Sequence, residues 1–125
     1  MQNDQITEVI IASAIEVHRE LGPGLLESSY QQCLRHELSL RAVSLRSEVE
    51  LPVRYKGIEL DCGYRLDLLV MECVVVEVKS VAAIDRIHEA QLLTYLRLGG
   101  WKVGLLINFN VPLLKDGIKR RVLGL

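Results

Sequence analysis

Apolar residues recur at spacings close to three and four over the first part of the chain. Ile6, Val9, Ile10, Ser13, Ile15, Val17 and Leu21 mark this stripe, which predicts an amphipathic helix. Asn3 or Asp4 is suited to cap its start. Gly22-Pro23-Gly24 predicts its end, because glycine terminates helices and proline cannot continue one. A second helix is expected from about Glu27 to Arg41, with Tyr30, Leu34, Leu38 and Arg41 along one side.

The pattern then changes from helical spacing to alternation and short apolar runs. Val43 to Tyr55 alternates, with Pro52 expected at an edge or bulge. Lys56-Gly57 signals a turn, and Ile58 to Leu60 a short returning strand. Gly63 to Val70 and Cys73 to Lys79 read as two strands joined tightly around Glu72. With a three-residue connection centred there, residue numbers that sum to 144 pair across the hairpin, and Asp67 faces Glu77. A two-residue turn shifts this register by one. Asp85 to Leu98 predicts a third helix, closed by Gly99-Gly100. Trp101 to Phe109 is an apolar, interior strand. Val111-Pro112 opens a loop, and Ile118 to Leu123 adds a last short strand or helical turn. The order suits an α/β domain with helices packed on a central mixed sheet.

Length and composition narrow this picture without changing it. The chain has 125 residues, half of them apolar and a quarter charged, so residues 1–125 are expected to form one domain around one core. No apolar run reaches the ~18 residues of a membrane span. The first residues lack the basic and apolar regions of a signal peptide, so a cytoplasmic location is the expectation. Cys33, Cys62 and Cys73 form no CxxC pair and suggest buried free thiols. The net charge is −1, whereas chains devoted to nucleic acid are usually basic. A nucleic-acid contact therefore relies on a local patch. Lys115, Lys119, Arg120 and Arg121 form one such set, and Arg35, Arg41, Arg46, Arg54 and Lys56 a dispersed second. Solvated faces are the commoner meaning of such sets.

The chemistry concentrates at Glu77-Val78-Lys79, which follows Val74-Val75-Val76. Alternation puts Glu77 and Lys79 on one face of a largely buried strand, where charged residues need a partner or a task. Two carboxylates about 5 Å apart repel by roughly 3 kcal/mol at an effective dielectric near 20. A raised pKa, the Lys79 ammonium or a divalent cation can offset this. Hard oxygen ligands favour Mg2+, Mn2+ or Ca2+, with Asp67, Glu77 and the Val78 carbonyl as donors. Lys79 can then orient or deprotonate a water, or stabilise charge on a phosphate. An Asp–Lys–Glu ion-pair network is the competing reading, since ExK triplets are common on solvent faces of strands. Arg65 shares the Asp67 face and can pair with Asp67 or Glu77, or touch a phosphate. Tyr30 is expected as a packed helix residue, His18 at a surface or helix end, and Trp101 in the core.

An acidic residue on one strand followed by ExK on the next resembles the PD-(D/E)xK nuclease superfamily. Gly24-Leu25-Leu26-Glu27-Ser28-Ser29-Tyr30 fits the GxxExxY motif of a bacterial family within it. Leu51-Pro52-Val53-Arg54-Tyr55-Lys56-Gly57, His88-Glu89-Ala90-Gln91-Leu92-Leu93-Thr94-Tyr95-Leu96 and Gly104-Leu105-Leu106-Ile107-Asn108-Phe109 are similar to it in the same order. The resemblance implies a restriction-endonuclease-like core, a central mixed sheet of about four or five strands flanked by helices. It implies Asp67 and Glu77 as metal ligands, Lys79 as catalytic lysine, and Glu27 as an acidic residue that completes the metal shell. Gln91 and Tyr95 match a QxxxY pair beside the site. Their i, i+4 spacing gives them one helix face, shared by His88. Asp67 follows Leu66 where many members carry proline.

The implied activity is metal-dependent hydrolysis of phosphodiester bonds in DNA by a metal-activated water, with no membrane partner. A homodimer would supply two sites for two strands. A catalytically inactive nuclease-fold module that binds nucleic acid or protein, and a purely structural role, are the alternatives from other classes.

Overall fold

A computed structural model of the protein describes residues 1–124. Helix α1 (Asn3–Leu21) buries Ile6, Ile10, Ala14 and Val17. The small Ala14 holds the place in the stripe that spacing assigned to Ile15, and Ile15 and Leu21 lie exposed at 39% and 41%. The cap is Gln2, not Asn3 or Asp4, which already lie within the helix. The Gln2 N–H donates to Gln5 Oε1 at 2.9 Å, while Asp4 pairs with Arg120 at 3.0 Å. Helix α2 (Glu27–Leu40) buries Tyr30, Leu34 and Leu38, and Arg41 stands just past its end, paired with Glu37 at 2.8 Å.

Strands β1 (Leu45–Glu50), β2 (Val53–Tyr55), β3 (Ile58–Leu60), β4 (Arg65–Val70) and β5 (Val74–Lys79) follow. Helix α3 (Arg86–Gly99) then leads to β6 (Val103–Asn108), a 3-10 turn at Leu114–Gly117, and β7 (Ile118–Val122). Five strands form one sheet in the order β1-β4-β5-β6-β7. Only β5 and β6 run parallel, and α3 makes the crossover that a parallel pair requires. The sheet is therefore mixed, as expected. Strands β2 and β3 form a separate hairpin, turned at Lys56-Gly57, where φ is 47° and 82°. Positive φ at both central residues matches the natural strand twist. Pro52 lies between the main sheet and this hairpin, where no ladder donor is lost.

The sheet divides the interior into two layers. Helices α1 and α2 cover one face, packing against Leu68, Val70, Val74, Val76, Val78, Leu105 and Ile107. Helix α3 covers the other, with Leu92 and Leu96 against Leu69, Val75 and Leu106. Gly104 permits this approach, because a Cβ there would meet Leu92 Cδ1 at 2.7 Å. Phe109 is fully buried and stacks on Tyr30 with ring centroids 4.5 Å apart. Trp101 is only partly buried, at the margin of the α3 layer. Lys79 and Asn108 pair at the carboxyl ends of the parallel strands, the edge of an α/β sheet where ligands bind.

Candidate functional site

The β4–β5 ladder holds Val70↔Val74, Leu69↔Val75 and Leu68↔Val76, so pairs sum to 144. Met71 and Glu72 both have positive φ, and the Cys73 N–H returns to Val70 O at 3.0 Å, closing the turn around Glu72. Backbone pairing stops before Asp67 and Glu77, and their carboxylates take its place. The Asp67 N–H donates to Glu77 Oε2 at 2.9 Å, and the Val78 N–H donates to Asp67 Oδ2 at 2.7 Å. In a strand, one residue's N–H and C=O point to the same edge, so the Val78 carbonyl also lies on the Asp67 side.

A second irregularity flanks Asp67. On β1 the pairs Ser47↔Leu68 and Val49↔Leu66 bracket an unpaired Glu48, whose φ is 52°. Side-chain alternation slips here. Leu68 and Val70 pack under α1 and α2, whereas Leu66 joins Leu69 under α3. Strand β4 is thus distorted at the residue that carries the acid.

Burial dominates the electrostatics. Glu77 is 6% exposed, and its carboxyl is pushed up to about 8, by burial first and the Asp67 charge second. The Asp67 N–H and the Lys79 ammonium pull it back down. Burial also raises Asp67, against the Val78 N–H and Lys79, with Glu48 and Glu27 adding to the rise. Lys79 influences both acids, yet no carboxylate oxygen lies within 4.0 Å of its ammonium among the described residues. The Asp–Lys–Glu ion-pair network is therefore not formed. Each acid is bonded to backbone N–H groups instead.

The loop before α2 fixes the residue after Lys79. Ser80 Oγ donates to Leu25 O at 2.7 Å, and the Ser80 N–H donates to Glu27 Oε2 at 3.3 Å. Glu27 is exposed in the first turn of α2, where the helix dipole also favours its charge. Tyr30 braces the same loop, donating to Gly22 O at 2.5 Å and accepting from the Leu25 N–H at 3.1 Å. Asn108, 2% exposed, accepts from the Val81 N–H at 3.1 Å and donates to Val81 O at 3.0 Å.

The expected site set is partly assembled. Asp67, Glu77, Val78 and Lys79 converge, with Glu27 at their margin. Tyr95 approaches from α3: its hydroxyl pKa is raised by burial, then by Glu77, Tyr64 and Asp67. Gln91 is exposed and makes no side-chain hydrogen bond among the described residues. His88 serves the start of α3, its Nδ1 accepting from the Asp85 N–H at 3.1 Å. Arg65 pairs with Glu50 at 3.3 Å and Asp61 at 3.9 Å rather than with Asp67 or Glu77, because those exposed acids are nearer and cheaper to reach.

Glu48 and Gln31 carry no motif of their own, and Asn108 lies in the Gly104–Phe109 stretch with no role assigned to it by the sequence. Gln31 Nε2 reaches both Asp67 O and Glu48 Oε1 at 3.3 Å. Its position one turn after Glu27 was the available signal. His18 Nε2 bonds Val111 O at 2.8 Å, as suits a residue near a helix end. None of the three cysteines is fully buried, and Cys62 is exposed. Much of the basic surface is neutralised locally, by Arg46–Glu72, Arg120–Asp4 and Arg121–Glu89.

No cluster of three His, Cys, Asp or Glu side chains close enough to hold a metal occurs among the described residues. Two carboxylates and a backbone carbonyl nonetheless form an all-oxygen set of the kind hard cations take. Asp67 Oδ1 and Glu77 Oε1 accept no hydrogen bond among the described residues. No described helix is long and apolar enough to cross a membrane.

A sequence model described as the PD-(D/E)XK nuclease superfamily matches residues 4–121. No curated protein and no solved structure matches the chain.

Proposed function

The chain belongs to the PD-(D/E)XK nuclease superfamily, and from that premise we propose that it is a metal-dependent nuclease that hydrolyses phosphodiester bonds in DNA. The convergence of Asp67, Glu77 and Lys79 where β4 and β5 part carries this reading. The Gly24–Tyr30 segment supports placing it in the GxxExxY family. Its Tyr30 is buried and structural, and its Glu27 borders the site.

Asp67, Glu77 and the Val78 carbonyl would hold Mg2+ or Mn2+, with Glu27 completing the shell. The cation would supply charge neutralisation at the scissile phosphate and a more acidic water. The protein's own residues do the rest. The carboxylates repel each other and are poorly solvated, so they favour a cation over the empty state. Lys79, on the Glu77 face and without an ion pair among the described residues, offers its ammonium to the charge that develops on the phosphate. Ser80, Asn108 and the Leu25 carbonyl hold the backbone after Lys79 in place. A homodimer would present two such sites to two strands, which light scattering with and without DNA would reveal.

The test is cleavage of single-stranded, duplex and branched DNA and of RNA with Mg2+ or Mn2+. Wild type should cut at least one DNA form, and Lys79→Ala and Glu77→Gln should not. Activity that is equal in both variants comes from elsewhere. Binding without cleavage by wild type, under every metal condition, replaces the proposal with an inactive nucleic-acid-binding module.

A further inference from the structure

Beside Asp67 lies a hollow of about 230 Å3 lined by the polar residues Ser28, Gln31, Gln32, Arg35, Ser47 and Glu48. Gln31 and Glu48 also belong to the site, since Gln31 Nε2 touches Asp67 O and Glu48 Oε1. A second hollow of about 340 Å3 continues from the first, sharing Gln32 and Arg35 and adding His36 and Ser39. The two adjoin at Gln32 and Arg35 and run from Gln31 and Glu48, beside Asp67, along the exposed flank of α2.

We propose that this groove seats one nucleic-acid strand flanking the scissile bond, with Arg35 contacting a backbone phosphate. The proposal rests on the nuclease reading and adds the direction in which the strand leaves the site. Arg35 is the cation free to do this. Its guanidinium donates to Ser47 Oγ at 3.3 Å and has no carboxylate within 4.0 Å among the described residues. Neighbouring Arg41 and Arg46 are committed to Glu37 and Glu72. Ser28 and Gln32 add uncharged donors that make no side-chain hydrogen bond among the described residues, and uncharged donors with arginine are the usual partners of phosphate oxygens. Ser28 and Gln32 are spaced i, i+4, a step of ~6 Å along the helix axis, and Arg35 follows at i+7. That step is comparable to the interval between successive phosphates of an extended strand. A mainly apolar hollow between α1 and α2, lined by Val17, Leu21 and Cys33 together with Glu16, Glu20 and Glu37, adjoins the path on its far side.

The experiment is fluorescence anisotropy of a short labelled single-stranded DNA, titrated across salt concentrations with Mg2+ present. It uses the Glu77→Gln protein, so that the probe survives. Adding Arg35→Ala should weaken binding roughly tenfold and lower the slope of log affinity against log salt by about 0.7, the contribution of one phosphate on a single strand. Arg35→Lys should keep the slope, and Lys102→Ala, just before β6 and away from the carboxyl ends of the parallel strands, should change neither quantity. DNA binding that Arg35→Ala leaves intact, with the same slope, overturns the groove while the nuclease reading stands. No DNA binding by the parent protein at low salt overturns both.

Discussion

Asp67 and Glu77 exchange hydrogen bonds across the β4–β5 hairpin through side chains rather than backbone. The Asp67 N–H meets Glu77 Oε2 at 2.9 Å, and Asp67 Oδ2 takes the Val78 N–H at 2.7 Å. The two strands part here, and the freed backbone donors are satisfied by the acids themselves. Each carboxylate is thereby oriented by a bond that uses one oxygen and leaves the other available. The same arrangement keeps two like charges together in a poorly solvated place, and this has measurable consequences.

The first is a dependence of stability on pH. The Glu77 carboxyl is raised from 4.5 to about 8, so the folded state binds its proton more tightly than the unfolded chain does. Its contribution to stability is full below about 4.5 and is lost as pH rises through about 8. Asp67 is raised as well and acts in the same direction. Without divalent metal, the melting temperature should be higher near pH 5 than near pH 9, by an amount equivalent to a few kcal/mol. Glu77→Gln should flatten that slope. A wild-type melting temperature that climbs from pH 5 to pH 9 in EDTA contradicts the burial of this acid.

A cation should reverse the penalty. At pH 8, Mn2+ at about 100 times its dissociation constant contributes ~2.7 kcal/mol, and each kcal/mol moves the melting temperature of a domain this size by about 3–5 °C. Binding should also release protons, detectable by calorimetry in buffers of different ionisation enthalpy. Asp67→Asn should lose both effects. Equal Mn2+ binding by wild type and Asp67→Asn would show that the ion sits elsewhere.

Much of this site is legible in the sequence, for identifiable reasons. Period-two alternation and a turn centred on Glu72 determine which residues face each other, so the Asp67–Glu77 relationship follows from counting. The helical stripe Tyr30–Leu34–Leu38 and the strand Val74–Lys79 are equally local. The destinations of long charged side chains are not local. Arg65 turns to Glu50 and Asp61, and His88 to the Asp85 backbone, because exposed partners nearby cost no desolvation. Glu48 escapes notice because its role depends on an interruption of β1 opposite Asp67, which alternation alone does not reveal. Asn108 reads as one polar residue ending an apolar strand until the Val81 loop folds over it.

Tyr30 should be structural and still influence the site. Its hydroxyl satisfies Gly22 O and the Leu25 N–H, and Leu25 O in turn holds Ser80 Oγ, next to Lys79. Tyr30→Phe preserves the stack on Phe109 but leaves both backbone groups unpaired, which should cost about 1–3 kcal/mol. Thermal unfolding measures this directly. In Tyr30→Phe the amides of the Leu25–Glu27 segment and of Ser80 should exchange faster, because the loop that holds Ser80 loses its brace, and hydrogen exchange that leaves this segment unchanged would refute the bracing role.

Lys79 separates a catalytic from a structural purpose. A lysine that held the two acids by ion pairing in a buried place would be costly to remove, on the order of 3–5 kcal/mol, because it would leave uncompensated charge. Lys79 is half-buried and makes no such pair among the described residues. Lys79→Ala should therefore change stability near neutral pH by less than about 1 kcal/mol. Its loss should raise the Glu77 and Asp67 pKa values further, since the ammonium lowers both. Cleavage, by contrast, should fall by about 10²–10⁴-fold, the range of a positioned proton-transfer or charge-stabilising group. The two measurements must diverge. A large loss of stability with activity retained would assign Lys79 to the fold and remove it from the chemistry.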